Sequence, residues 1–287
     1  MFKPKLLVIL LLYVAIKSLF IEFAGSLQNG KTILDFIDVG QGDSIFITTP
    51  LGRTILIDGG PNYDSDAFLD DRIPFWDCYI DYVIITHPDA DHLTGVNRIL
   101  KRCKAGLLVF PGIPVESLDS DLYKGFINSN ALRDNKISNK SFDKVIDGVE
   151  FHFLMPSEFM NLNPKNTNDH SVFLCMDYGG FEALFTGDAG AKVLKSMTSI
   201  VKNKCGIDEP LEVLKIPHHG SKYNYDQYFT EEVKPVVAVI SVGKNKFGHP
   251  DPQVIENYAK NGTEVFRTDE LGNISIVINK NKSFKLK

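Results

Sequence analysis

No run of about 20 uncharged apolar residues, the length a spanning helix needs, occurs in this 287-residue chain, so it does not read as a multi-helix channel. Excess positive charge is missing too. The formal net charge of -5 gives no broad attraction to phosphate backbones, so nucleic-acid binding would need a local basic patch. The four cysteines, Cys78, Cys103, Cys175 and Cys205, contain no C-x-x-C pair, which excludes a zinc knuckle. In an exported chain they are open to disulfide formation, but Cys175 in VFLCMDY reads as a buried strand residue, and pairing is not readable. No low-complexity stretch or linker divides the chain, and 44% hydrophobic residues suffice for a packed core.

What is present begins with Lys3 and Lys5 ahead of an apolar run from Leu6 to Ile16, followed by Lys17 and a second apolar patch ending in Phe23-Ala24-Gly25-Ser26. Residues 1–26 therefore read as a signal peptide or a membrane anchor. Positive charge before the apolar segment places the remainder outside the cytoplasm, exported or anchored in the cytoplasmic membrane.

Beyond the leader, apolar alternation predicts short strands at Thr32 to Ile37, Ser44 to Thr48 and Thr54 to Ile57. Tyr82 to Thr86 is a continuous apolar run of the doubly covered kind, and Leu93, Val96, Ile99 and Leu100 have helical spacing. The stretch from Glu116 to Lys144 reads as a polar surface insertion with one helix near Asp121 to Leu132. A second series follows: strands at Val149 to Leu154, Ser171 to Asp177, Phe181 to Thr186, Leu211 to Ile216, Val236 to Val242, Val265 and Ile274 to Ile278. Helices are predicted at Ala189 to Lys204 and Pro252 to Lys260. Two strand-rich halves with helices outside predict an α/β sandwich over residues 32–287.

Chemistry-bearing residues follow the strands. His87, Asp89, Asp91 and His92 follow one, Asp58 follows TILI, Asp188 follows FEALFTG, and His218 and His219 follow LEVLKIP. One such cluster is explained by polar capping; three, each after an apolar strand, point to imidazoles and carboxylates gathered at one sheet edge. That is a ligand set for divalent ions, and two ions need roughly six to eight donors.

The motifs DVGQGDS, LIDGG, THPDADHLTG, FTGD, IPHHGS and FGHP, in this order, resemble the metallo-β-lactamase superfamily and, within it, the ComEC-type domain of competence DNA-uptake proteins. The resemblance implies an αββα four-layer sandwich with a dinuclear site of Zn²⁺ or Mn²⁺ on one edge. It implies His87 and Asp89 on one metal, Asp91 and His92 on the other, Asp188 between them, and His218 completing the second. Asp89 stands where the superfamily usually has a histidine, which makes the first site harder in ligand type. A further ligand position falls in NTNDHS, where Asn168 or His170 stands.

Around these, Asp58 is a candidate to orient a ligating imidazole. His219 and His249, with Ser221 as a lesser candidate, read as groups that contact substrate, and Asp91 counts among the catalytic residues as well as the ligands. The implied activity is metal-dependent hydrolysis of a phosphodiester, presumably DNA. A β-lactam hydrolase and a non-catalytic metal- or partner-binding envelope protein are the alternatives. For DNA, Lys101, Arg102, Lys104, Lys222, Lys244 and Lys246 are the cations available to line one edge, although each taken singly reads as part of a solvated face.

Overall fold

Among the described residues, fifteen strands alternate with helices in the order β1 (Thr32–Phe36), β2 (Ile45–Thr48), β3 (Thr54–Ile57), α1 (Asp64–Asp70), β4 (Tyr79–Ile84), α2 (Ala90–Arg102), β5 (Lys104–Val109), α3 (Asp121–Asn128), β6 (Lys136–Ser138), β7 (Phe142–Ile146), β8 (Val149–Leu154), β9 (Phe173–Tyr178), β10 (Phe181–Phe185), α4 (Ala191–Cys205), β11 (Val213–Lys215), α5 (Gln227–Val233), β12 (Val237–Ile240), α6 (Pro252–Lys260), β13 (Glu264–Arg267), the one-turn helix Thr268–Leu271, β14 (Ile274–Ile278) and β15 (Phe284–Leu286). This computed structural model describes Tyr13 and residues 30–74, 77–114, 120–129 and 136–287; the leader read at 1–26 otherwise lies outside the described residues. Among the described residues, no helix is long and apolar enough to cross a membrane.

The strands form two mixed sheets. One has eight strands in the order β15-β14-β1-β2-β3-β4-β5-β6, the other seven in the order β13-β12-β11-β10-β9-β8-β7. Strand periodicity explains the layers. Ile45 and Ile47 of β2 face the other sheet, meeting Phe151, Phe153 and Phe185 in the central core, while Phe46 between them packs outward under α1. On the second sheet Val213 faces inward and Leu214 outward, the latter against Val193, Leu194 and Met197 of α4. Both sheets are thus covered on both faces, giving the αββα sandwich expected from the sequence.

Within each sheet β3, β4 and β5 are mutually parallel, as are β10, β11, β12 and β13. Their carboxyl ends therefore share an edge, and every loop carrying a chemical motif leaves from there. The leucine, valine and isoleucine stripe of α2 is buried as its spacing predicted. Elements not anticipated are α1, α5, β6, β7 and β15, together with the one-turn helix Thr268–Leu271. Strand β7, FDKVI, is an edge strand whose three middle residues are exposed, so it lacks an apolar signature. The predicted helix at Asp121 ends four residues early, at Asn128.

Two disulfides join Cys78 to Cys103 and Cys175 to Cys205. Cys175 is buried on β9 as expected, but it is also paired, which corrects its reading as an ordinary buried residue. The first bridge ties the residue before β4 to the one that ends α2; the second ties β9 to the end of α4.

Candidate metal centre

Strand β4 delivers Thr86 and His87, and α2 begins three residues later, so Asp91 lies in the first helical turn. Asp89 is at the N-cap yet makes no capping bond: its Oδ1 accepts from Thr167 Oγ1 at 2.7 Å, and Oδ2 lies 3.8 Å from His87 Nε2. An aspartate that forgoes a cap is otherwise engaged. Strand β11 ends at Lys215, and the chain then turns through His218 and His219, both left-handed at φ 46° and 53°. Two adjacent non-glycine residues in that region cost roughly 1–2 kcal/mol each, a strain typical of functional turns. It sends the two imidazoles in different directions, their rings crossing at 81°.

Three fully buried imidazoles are anchored through Nδ1. His92 Nδ1 donates to Asp58 Oδ2 at 2.8 Å, His219 Nδ1 to the Ser241 carbonyl at 2.8 Å, and His87 Nδ1 to Thr86 Oγ1 at 3.1 Å. Thr86 in turn donates its hydroxyl to Asp58 at 2.6 Å. The three Nε2 atoms face inward and make no hydrogen bond. Around them stand carboxylate oxygens: Asp188 Oδ2 lies 3.3 Å from His92 Nε2, 3.5 Å from His219 Nε2 and 3.9 Å from His87 Nε2, and Asp91 Oδ2 lies 3.4 Å from His219 Nε2.

These distances are too long for good hydrogen bonds and suit atoms that share a cation. His87, His92 and Asp188 form one group of donors within 4.8 Å of one another, and Asp91, His92 and His219 form a second. Burying three orphaned imidazole nitrogens is costly unless something binds them, so the residues present fit divalent metal. The outward Nδ1 bonds fix the rings with Nε2 free to ligate.

Asp43 and Lys215 belong to this centre and were not singled out from the sequence. Fully buried Lys215 pairs with Asp43 Oδ2, donates to the Gly187 carbonyl at 3.1 Å and reaches Asp188 Oδ1 at 3.3 Å. Asp188 therefore keeps Oδ1 for the lysine and offers Oδ2 to the imidazoles. The signal was present: Lys215 is an ionisable residue in the apolar strand LEVLKIP, on the same face as Val213, and Asp43 closes the quoted DVGQGD turn.

Charge in the centre is strongly coupled. Burial would push His219 down, but Asp188, Asp43 and Asp91 outweigh it and push it up to about 9. Burial likewise disfavours charged His92, and Asp188 and Asp58 reverse this, raising it well above the ordinary range. Asp188 is held far below the carboxylate range because His92, His219 and Lys215 overcome its burial. The pocket thus stabilises positive charge, and a cation competes there with protons.

Of the sequence candidates, His87, Asp89, Asp91, His92, Asp188 and Asp58 come together. His219, expected to contact substrate, lies in the cluster instead, whereas His218 sits at its mouth, with Nε2 3.9 Å from Asp188 Oδ2 and Nδ1 bonded to Asn224 Oδ1 at 2.9 Å. Asn168 stands beside His218, its Nδ2 3.3 Å from His218 Nδ1. The His249 ring lies 5.5 Å from that of His218. His170 turns away to the Asn163 carbonyl, 3.2 Å from Nε2, and Ser221 accepts from the Tyr223 amide rather than facing the centre. Lys101, Arg102 and Lys104 do not line the site edge. Lys101 and Arg102 lie at the far end of α2, about 18 Å along a helix that starts at the site, Lys104 opens β5 just beyond it, and Arg102 is tied to Asp66 and Asp70.

The metallo-β-lactamase superfamily profile matches residues 37–244, and the chain belongs to that superfamily of metal-dependent hydrolases. Within it, the chain is similar to ComE operon protein 3 of Bacillus subtilis (strain 168), 29% identical over 279 residues that cover 89% of this chain and 34% of that protein. It is similar also to Recombination protein 2 of Haemophilus influenzae, at 27% over 248 residues, 85% of this chain and 28% of that protein. The chain thus spans about a third of the length of these curated relatives. Among solved structures, YhfI from Bacillus subtilis aligns with a TM-score of 0.51 at 11% identity, over 86% of this chain and 99% of that one. A long-form RNase Z from yeast aligns with a TM-score of 0.52 at 10% identity, over 89% of this chain and 42% of that one. Both likenesses speak to the fold.

Proposed function

We propose that this chain is a two-metal phosphodiesterase that cuts DNA outside the cytoplasm. The observation that carries the reading is the convergence of three anchored, orphaned imidazoles on one oxygen of Asp188. The similarity to Recombination protein 2 and the competence-type motifs of the sequence support DNA as substrate. Two disulfides support an oxidising compartment.

His87, His92, His219, Asp91, Asp188 and Asp89 would hold the ions, with His218 adjacent. When bound, the ions supply Lewis acidity and neutralise phosphate charge. Asp58, Thr86 and the Ser241 carbonyl aim the three rings, and Lys215 holds Asp188 in its single-oxygen pose. Water attacks phosphorus in line, the P–O bond to the leaving group breaks, and the departing oxygen takes a proton. His249, next to His218 on the open side, would hydrogen-bond the phosphate, while burial and the His218 and His219 rings hold it below the ordinary imidazole range, so at neutral pH the proton for the departing oxygen comes from solvent.

The test is to purify the chain without chelators, measure bound metal, and follow hydrolysis of bis(p-nitrophenyl) phosphate and of DNA with added Mn²⁺ or Zn²⁺. Two metals per chain and turnover that falls at least about 100-fold in Asp188→Ala are expected. Less than one metal per chain and no turnover with either ion would overturn the reading, as would faster hydrolysis of penicillins than of phosphodiesters.

A further inference from the structure

Two of the most exposed large side chains among the described residues lie on the segments that carry His218 and His249. Phe247 is 75% exposed and Tyr223 is 77% exposed. Tyr223 lies four residues after His219, and Phe247 lies in the loop after β12, two residues before His249. The two segments are joined, since the Asp251 amide donates to the Gly220 carbonyl at 2.9 Å. Exposed aromatics beside a site signal a binding surface.

Phe247 is presented rigidly. The Asn245 side chain accepts from the Phe247 and His249 amides at 3.0 and 3.1 Å, and donates to the carbonyls of Gly243 and His249 at 2.8 and 2.7 Å. From there a file of rings leads inward. Phe247 stacks on His249 at 5.9 Å and 24°, His249 meets His218 at 5.5 Å, and His218 borders Asp188. Elsewhere on the surface, exposed Tyr63 is covered by the Arg98 guanidinium at 3.1 Å; no described side chain caps Phe247 on its outer face in this way.

Cations interleave with these rings. Lys222, Lys244 and Lys246 are exposed and form no salt bridge among the described residues, and the Lys222 ammonium lies 5.4 Å from the Tyr223 ring centre. In a chain of net charge -5 this is a local basic rim. Lysines interleaved with exposed aromatic rings suit a polynucleotide whose bases are unstacked, because every base offers a π-face and every linkage a charge. Duplex DNA has its bases already paired and stacked, and offers little to such rings.

We propose that Phe247 and Tyr223 are stacking platforms for the bases of single-stranded DNA, which with Lys222, Lys244 and Lys246 guide the strand's phosphates to the metal centre. This rests on the phosphodiesterase reading above and adds the strand state and the residues that select it.

The test separates binding from hydrolysis. Fluorescence anisotropy with the full chain in chelator compares a labelled single-stranded oligodeoxynucleotide, its duplex, and an abasic strand of the same length. Wild type is expected to bind the base-bearing strand most tightly. Phe247→Ala is expected to weaken that binding roughly 5- to 100-fold while shifting the abasic strand little, and Phe247→Trp to restore it. Tyr223→Ala should act in the same direction. Equal loss for base-bearing and abasic strands, no loss at all, or tighter binding of duplex overturns the inference. Hydrolysis of bis(p-nitrophenyl) phosphate by wild type with Mn²⁺ or Zn²⁺ is read in parallel: its absence counts against the phosphodiesterase, whereas its presence without base-dependent binding sinks only the stacking platform.

Discussion

Lys215 is the residue on which the charge balance of the centre turns. Its ammonium is held by Asp43, Asp188 and the Gly187 carbonyl with no exposure to solvent. Replacing it with methionine keeps the volume and leaves Asp43 and Asp188 with only the buried imidazoles of His92 and His219 to offset their charge, so Lys215→Met is expected to destabilise the metal-free protein by about 3–5 kcal/mol. Added Mn²⁺ or Zn²⁺ should recover part of that loss, which urea denaturation with and without metal would measure. A second residue acts far from the site. Glu182 on β10 is buried, and that burial, reinforced by the neighbouring Glu212, pushes its carboxyl up from 4.5 to about 8. Its folded-state value exceeds its unfolded one, so its contribution to stability is complete below about pH 4.5 and is lost as pH rises through about 8. Glu182→Gln should flatten this fall and leave the variant more stable than wild type at pH 9, measured by denaturation across pH 5 to 9 relative to wild type.

At the scale of elements, the approach of α2 to the turn after β3 sets the position of Asp91 and His92. The Gly59 amide donates to the His92 carbonyl at 2.9 Å, and the Gly95 amide to the Gly60 carbonyl at 2.9 Å. Gly95 is there because a Cβ would come within 1.8 Å of the Gly59 carbonyl oxygen. Gly95→Ala should therefore push the helix away, costing about 1–3 kcal/mol of stability and lowering bound metal, read by thermal unfolding and metal analysis of the same preparation. The strained turn at His218 and His219 is the matching device on the second sheet. The two sheets each deliver one rigid arm to the centre.

Across the whole molecule, the centre lies where two covered sheets present their strand ends together, and its ligands come from both. Metal bound there links the halves, so Mn²⁺ or Zn²⁺ should raise the unfolding temperature of wild type and a chelator should lower it, with no response in Asp188→Ala. Differential scanning calorimetry at matched protein concentration would measure this. An unfolding temperature of wild type unmoved by either ion would contradict a folded-state metal centre.

Much of this was legible from residue types and local spacing. Strand ends, the α2 stripe and the residues His87, Asp91, His92 and Asp188 are local signals, because side-chain period and a polar loop after an apolar run require no knowledge of distant partners. Edge strand β7 escaped because an exposed strand lacks an apolar face. Tertiary structure alone decided which cysteines pair, that Lys101, Arg102 and Lys104 lie at or just beyond the wrong end of α2, and that Lys215 reaches Asp43, 172 positions away in the chain. It also decided that His219 faces the cluster while His218 guards its mouth. Adjacent histidines are equivalent in a one-dimensional pattern, and only the left-handed turn that seats them between two packed sheets makes them different.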